Sequence, residues 1–331
     1  MTIAGRRPIA CASAAVVFLI CGHQLVSQRS VERSQSAGAW QVPRTPDGHP
    51  DLQGFWTNNT ATPFQRPTEL AGKEFFTEAE AAEYERTALD RLVKETDDDK
   101  LAADLNYDYL DYRKVGESRR TSLIVDPPAG RLPDLLPQAR QRATAKPPSS
   151  SDDPEVIGLD ERCLLAVALG SSNSSPPIVP NPFGQNFYQI VQTPQHVTIF
   201  SELVHDARIV RMNGKHPPAS VQNWLGDSIG RWEGDTLVVD TTNFTAKTRF
   251  YGSSERLHVV ERFSRADQNT IQYRVTVDDP ETWVSSWTAE IPFKATGNRI
   301  FEYACHEANY AMAGILRGAR VAEREAATKP N

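Results

Sequence analysis

Ile271-Gln272-Tyr273-Arg274-Val275-Thr276-Val277-Asp278 decides the fold class of this chain. Apolar and polar residues alternate along it, the period of an extended strand with one buried and one wet face. Trp287, Ala289, Ile291 and Phe293 repeat the alternation downstream, and Leu257, Val259 and Phe263 repeat it upstream. Working outward, strands are predicted at 187–192, 196–202, 207–212, 236–244, 257–264, 270–278, 286–294 and 299–305. Met212-Asn213-Gly214-Lys215, Glu233-Gly234-Asp235 and Asp267-Gln268-Asn269 supply turns between them. A series of this length packs as a sandwich or closes as a barrel. The expectation is a mainly β protein, an antiparallel meander forming a barrel, with a small helical N-terminal insertion.

Upstream of the meander the material changes. Residues 40–70 are rich in turn formers, Pro43, Pro46-Asp47-Gly48, Pro50, Pro63 and Pro67 among them. Thr77 and Glu80 have the spacing of a capping box, and Ala81, Tyr84, Ala88 and Leu92 recur at helical spacing, which predicts a helix over 76–95. An acidic segment carrying Tyr107, Tyr109 and Tyr112 follows, then a short apolar strand at Ser122–Val125. Residues 144–155 read as a Pro/Ser linker. The predicted organisation is a signal peptide over 1–30, an extended and helical region over 31–155, and a barrel domain over 156–325.

With 331 residues and 39% hydrophobic side chains the chain can bury a large core. A formal net charge of −6 argues against nucleic acid as a partner, because phosphate binding needs a basic face. Arg6 and Arg7 precede an apolar run from Ile9 to Cys21, short for a bilayer span and right for a signal-peptide core. Export to the periplasm or the extracellular space is therefore expected. The rival is an uncleaved anchor, the single route by which the chain would touch a membrane. Beyond that segment the cysteines are Cys163 and Cys305. In an oxidising compartment they form a disulfide candidate, closing a loop of about 140 residues worth ~4 kcal/mol in the chain-entropy model. Two buried free thiols are the alternative.

Two resemblances rest on local segments. Gly54-Phe55-Trp56 resembles the Gly-x-Trp signature that opens the first strand of lipocalins and related calycins. That resemblance implies a calycin-like barrel with an arginine packed across the tryptophan ring, a part that Arg317 or Arg320 could fill. The chain as a whole resembles a family of exported bacterial proteins of unassigned function. The matching segments are Thr45–Trp56, Arg120–Pro128, Glu161-Arg162-Cys163, Trp224–Phe244 and Tyr303–Glu307. The second resemblance implies export and a β-rich fold, and carries no activity with it.

Several constellations have the residue types that chemistry needs. Gly226-Asp227-Ser228-Ile229-Gly230 fits the G-x-S-x-G pattern, but polar residues precede it and a strand follows, so glycines in a β-loop explain it without catalysis. His306-Glu307-Ala308-Asn309-Tyr310 begins like a zinc-binding H-E-x-x-H motif and has Tyr where the second ligand belongs, so no metal is expected. His205 and Asp206 sit on the 202–208 hairpin, where a carboxylate can hold an imidazole as a general acid or base. Asp240 interrupts an apolar strand and needs a partner, for which Arg249, Arg262 and Arg274 are nearby in sequence terms. Trp224, Trp232, Tyr251, Tyr273 and Trp287 are either core or the lining of a pocket for an aromatic ligand. No dinucleotide fingerprint, phosphate loop or haem-attachment pair occurs, and no cofactor is expected.

Three functions fit these residues. The first is an exported barrel binding a small lipophilic or aromatic molecule. The second is a cofactor-free lyase, isomerase or hydrolase in which His205 or His306 moves protons and Asp206, Asp240 or Glu307 orients it. The third is a structural or interaction protein of the cell envelope.

Overall fold

Alternation along the chain becomes one ten-stranded sheet in the computed structural model, which describes residues 40–95, 114–144, 153–159, 161–165, 176–180, 186–248, 250–307 and 309–328. The leader-like segment, the Tyr107–Tyr112 segment and most of the 144–155 linker lie outside the described residues. The strands are β1 (Gly54–Thr57), β2 (Ile124–Asp126), β3 (Phe187–Gln192), β4 (His196–Ser201), β5 (Ala207–Met212), β6 (Asp227–Glu233), β7 (Thr236–Thr242), β8 (His258–Asp267), β9 (Thr270–Asp278) and β10 (Trp287–Ala295). The helices are α1 (Glu78–Glu95), α2 (Pro137–Thr144) and α3 (Tyr310–Thr328). The capping box forms at α1: the Thr77 N–H donates to Glu80 Oε2 at 2.8 Å and the Glu80 N–H to Thr77 Oγ1 at 3.3 Å.

Strands β3 to β10 pair in sequence order, and β1 seals the ring between β3 and β10, giving a closed nine-stranded barrel. The Gly-Phe-Trp strand is therefore a stave of the barrel, although it lies far upstream in sequence. β2 extends the sheet beside the first residues of β10. Trp56 donates through Nε1 to the Leu52 carbonyl at 3.0 Å. The arginine over its ring is Arg265 of β8, 5.2 Å from the centroid, and not Arg317 or Arg320 of α3.

Two expectations need correction. β5 and β6 run parallel, pairing Arg211 with Ile229 and Met212 with Gly230, so the meander is interrupted once. Parallel neighbours require a crossover. Residues 213–226 supply it, and Asn213, at φ 54°, starts it instead of closing a hairpin. The second correction is 299–305, which forms no strand. β10 already has β9 on one edge and β1 and β2 on the other, so no free edge remains there for another partner.

Among the described residues the inward faces of the strands are mostly apolar and buried. Leu237 and Val239 of β7, Val259 and Phe263 of β8, four alternate residues of β9 from Ile271 to Val277, and Trp287, Ala289, Ile291 and Phe293 of β10 are all buried. Each such side chain contributes about 1.5–3 kcal/mol when removed from water. Phe263 and Tyr273 lie 4.8 Å apart between ring centroids, and Tyr188 and Phe293 stack at 5.3 Å. Small barrels are commonly filled this way by their own side chains. Within this core Arg208 of β5 makes a two-pronged ion pair with Glu261 of β8 at 2.5 and 2.9 Å. Tyr273 donates to Glu261 at 2.9 Å and accepts the Ile178 N–H at 2.9 Å, which ties the buried Ile178-Val179 segment to the barrel.

Cys163 and Cys305 form the disulfide, with Cα atoms 5.8 Å apart. Cys305 stands in a turn ahead of α3 and not on a last strand, so the bond staples the 161–165 loop to the approach to α3. Among the described residues no helix is long and apolar enough to cross a membrane.

Candidate functional site on the outer barrel face

Strand alternation places one polar set outside the barrel. On β7, Leu237, Val239 and Thr241 face inward, so Asp240 faces outward. On β8, Val259 and Glu261 face inward, so His258 faces outward. Asp240 pairs with Val260, which leaves His258 as its diagonal neighbour. The crossover brings His216 to the same place. A carboxylate only accepts, so His258 donates through Nε2 to Asp240 Oδ2 at 3.1 Å. His216 sets Nε2 3.0 Å from Asp240 Oδ1 and Nδ1 2.7 Å from Asp227 Oδ2, and donates to both when its ring carries two protons. Arg211 closes the row with bonds of 2.8 and 2.9 Å to Asp227.

The electrostatics follow from these bonds. The hydrogen bond to Asp240 raises His258 above the ordinary imidazole range; burial opposes this, and the charges of Asp240 and Asp278 add to the rise. Asp240 is lowered, first by its bond to His258 and then, against burial, by His216. Asn243, at φ 60°, anchors the crossover by donating to the carbonyls of Pro217, Pro218 and Val221 at 3.1–3.2 Å. Beside this row opens a cleft of about 370 Å³ whose lining includes Gln222, Thr242, Asn243, Glu255, His258 and Asp278. An imidazole oriented by a carboxylate at the wall of a small cleft can take a proton from a bound molecule or return one.

The partner expected for Asp240 was an arginine, and the structure gives two histidines instead. Arg262 bonds Glu233 and Arg274 bonds Glu290, while Arg249 lies outside the described residues. His216, Asp227 and His258 escaped the sequence reading. His258 could have been found from the predicted strand alone, since it alternates with inward Val259. His216 and Asp227 could not, because only the parallel β5–β6 junction brings them to β7.

The other candidates fall elsewhere. His205 and His306 do approach, with ring centroids 6.1 Å apart, and His205 Nδ1 lies 3.0 Å from the Tyr303 carbonyl. They meet beside the disulfide, away from the barrel interior. His205 has φ 50° and follows Val204 at φ 62°, a left-handed pair in the turn before β5. The same turn is held by Glu202, which accepts the Phe301 N–H at 3.0 Å and is raised by burial. Asp206 accepts the Ser201 N–H through its carbonyl at 2.9 Å, and Glu307 is exposed.

Four of the five aromatic candidates join one core cluster, Tyr273 and Trp287 within it and Trp232 and Tyr251 packed against it. Tyr273 and Trp287 are fully buried in the core, and Tyr251 packs on Phe64 and Phe250. Trp232 stacks on His49 at 4.8 Å next to the β6–β7 turn. Trp224 lies half-buried in the crossover and accepts the Thr248 hydroxyl proton through its carbonyl at 2.9 Å.

The G-x-S-x-G stretch has a packing explanation. Ser228 is buried on β6 and shares a 2.9 Å hydrogen bond with Thr241. A Cβ on Gly226 would come within 2.7 Å of the Thr242 carbonyl, and one on Gly230 within 2.7 Å of Val210 and 2.8 Å of Met212. Both glycines are needed for β6 to lie against its neighbours. Among the described residues no group of three or more His, Cys, Asp or Glu side chains could hold a metal ion. Compared with known proteins, the chain is matched by no family model, no curated protein and no solved structure.

Proposed function

We propose that this is an exported acid–base catalyst of lyase, isomerase or hydrolase type, working without a cofactor on a small polar molecule in the cleft beside His258. The observation that carries the reading is the 3.1 Å bond from His258 Nε2 to Asp240, which leaves the other ring nitrogen uncommitted to that carboxylate. The His258 side chain is 40% exposed, so a molecule in the cleft can reach it. Asp240 orients the ring and stabilises its protonated form. Tyr273, Phe293 and Trp287 are buried on the inner face, whereas the His258–Asp240 pair stands on the outer face beside a cleft, which supports reading the chemistry there. Export is supported by the leader-like first segment and is compatible with the Cys163–Cys305 bond.

The test is a turnover screen of esters, lactones, hydroxy acids and ketols with the purified mature protein. His258→Gln and Asp240→Asn should each lower the rate on any active compound by roughly 10²- to 10⁴-fold, the span of positioned acid–base catalysis. An active compound whose turnover survives both substitutions would overturn the assignment.

A further inference from the structure

Resting on that reading, we infer that His216 is the positioning residue of the site: it fixes Asp240 against His258 and pins the crossover that walls the cleft. Among the described residues His216 is the one side chain that bonds both carboxylates, Asp227 at the start of β6 and Asp240 near the end of β7. Asp240 has two carboxylate oxygens and they are divided, Oδ1 to His216 and Oδ2 to His258. A carboxylate held at one oxygen cannot turn freely, so the His216 bond sets the plane in which Oδ2 meets His258. Arg211 performs the same service one step back, holding Asp227 so that its Oδ2 faces His216.

The crossover that carries His216 also contributes Ala219 and Gln222 to the cleft wall. Near its start the crossover is held by the His216 bonds, and toward its end by the Asn243 amide on three carbonyls and by backbone bonds of Asn223 with Asn243 and Thr245. His216 thus links the position of the wall to the position of the acid–base pair. The charged and titratable groups around this row are Arg211 on β5, Lys215 in the crossover, Asp227 on β6, Asp240 on β7, Glu255 and Arg256 ahead of β8, His258 on β8 and Asp278 on β9. Arg211 also donates to the Lys215 carbonyl at 3.1 Å, which places the start of the crossover.

Two roles for His216 predict opposite shifts at His258. If His216 were only a neighbouring charge competing for Asp240, its removal would leave Asp240 wholly to His258 and move the His258 midpoint upward. If it positions Asp240, its removal frees the carboxylate to rotate and moves the midpoint downward, toward the ordinary imidazole value.

The experiment is an NMR titration of the histidine rings in the substrate-free mature protein. The expected result for His216→Ala is a fall of the His258 midpoint toward the ordinary imidazole value, partly restored in His216→Gln, whose amide can still donate to Asp240. Asp227→Asn, which removes the far anchor, should give a smaller fall. Should His216→Ala fail to fold, Asp227→Asn decides the matter. An unchanged or higher His258 midpoint in a folded variant overturns the inference. The readout needs no substrate, so it fails or succeeds separately from the turnover screen.

Discussion

The same two strands carry two different ionic arrangements, and the comparison separates structure from chemistry in this barrel. On β5 Arg208 points inward and Arg211 outward; on β8 Glu261 points inward and His258 outward. The inner pair is sealed, with Arg208 4% and Glu261 0% exposed, and Tyr273 supplies a further bond to the carboxylate. The outer row alternates acid and base from Arg211 to His258, and its members keep 14–42% of their side-chain surface in solvent. Removal from water makes the inner pair expensive to break and unable to meet a substrate. Partial exposure makes the outer row cheap to break and able to exchange protons. Strand alternation puts Arg208 and Arg211, and likewise Glu261 and His258, on opposite faces, each pair being three residues apart, and the crossover then adds His216 to the outer row.

The most damaging way to break this contrast is at the inner pair. Glu261→Ala leaves Arg208 buried without its counter-charge and takes from Tyr273 its acceptor. It should cost about 3–5 kcal/mol in denaturant unfolding. High salt should restore little of that loss, since counterions do not reach a sealed pair. A cost below about 1 kcal/mol would mean that the pair is not sealed.

A finer test removes one hydroxyl. Tyr273→Phe keeps the ring against Phe263 and Phe293 while the Ile178 N–H loses its acceptor and Glu261 a donor. The expected cost is about 1–3 kcal/mol, accompanied by faster hydrogen exchange at Ile178. Unchanged exchange there would show that the Ile178-Val179 segment is held by apolar packing alone.

Much of this barrel can be read from the chain, and the reasons for the remainder are local. β8, β9 and β10 were plain because their inner faces are unbroken rows such as Ile271, Tyr273, Val275 and Val277. β6 was hidden because Asp227-Ser228-Ile229-Gly230-Arg231 carries small and charged residues where a period would show, the small ones being required by close approach to β5 and β7. Asp240 was recognised as a residue that needs a partner, yet its partners come from a crossover and a diagonal position that a linear reading does not join. His205 and His306 do meet, edge to face, but beside the disulfide. Alternation reports which face a residue takes, and says nothing of which non-neighbouring strand lies beside it.

The smallest stability effect belongs to the outer row and sharpens the contrast through its dependence on pH. Asp240→Asn keeps the shape and removes the charge that both histidines address. At most about 1 kcal/mol is expected at low ionic strength, because the pair is partly open to solvent and screened by it. His258 is raised in the folded protein, so its contribution is complete below the ordinary imidazole value of 6.5 and is lost as pH climbs through the raised folded value. Asp240 is lowered, so its contribution is complete above the ordinary carboxylate value of 3.8 and is lost as pH falls through the lower folded value. The stability gap between the wild-type chain and Asp240→Asn should therefore be widest between those two ordinary values, narrow on either side, and shrink in 1 M salt. Denaturant midpoints measured across that range read it directly. A gap that neither pH nor salt alters would assign the outer row the same fixed, structural part as Arg208 and Glu261, and with it would go the case for chemistry at His258.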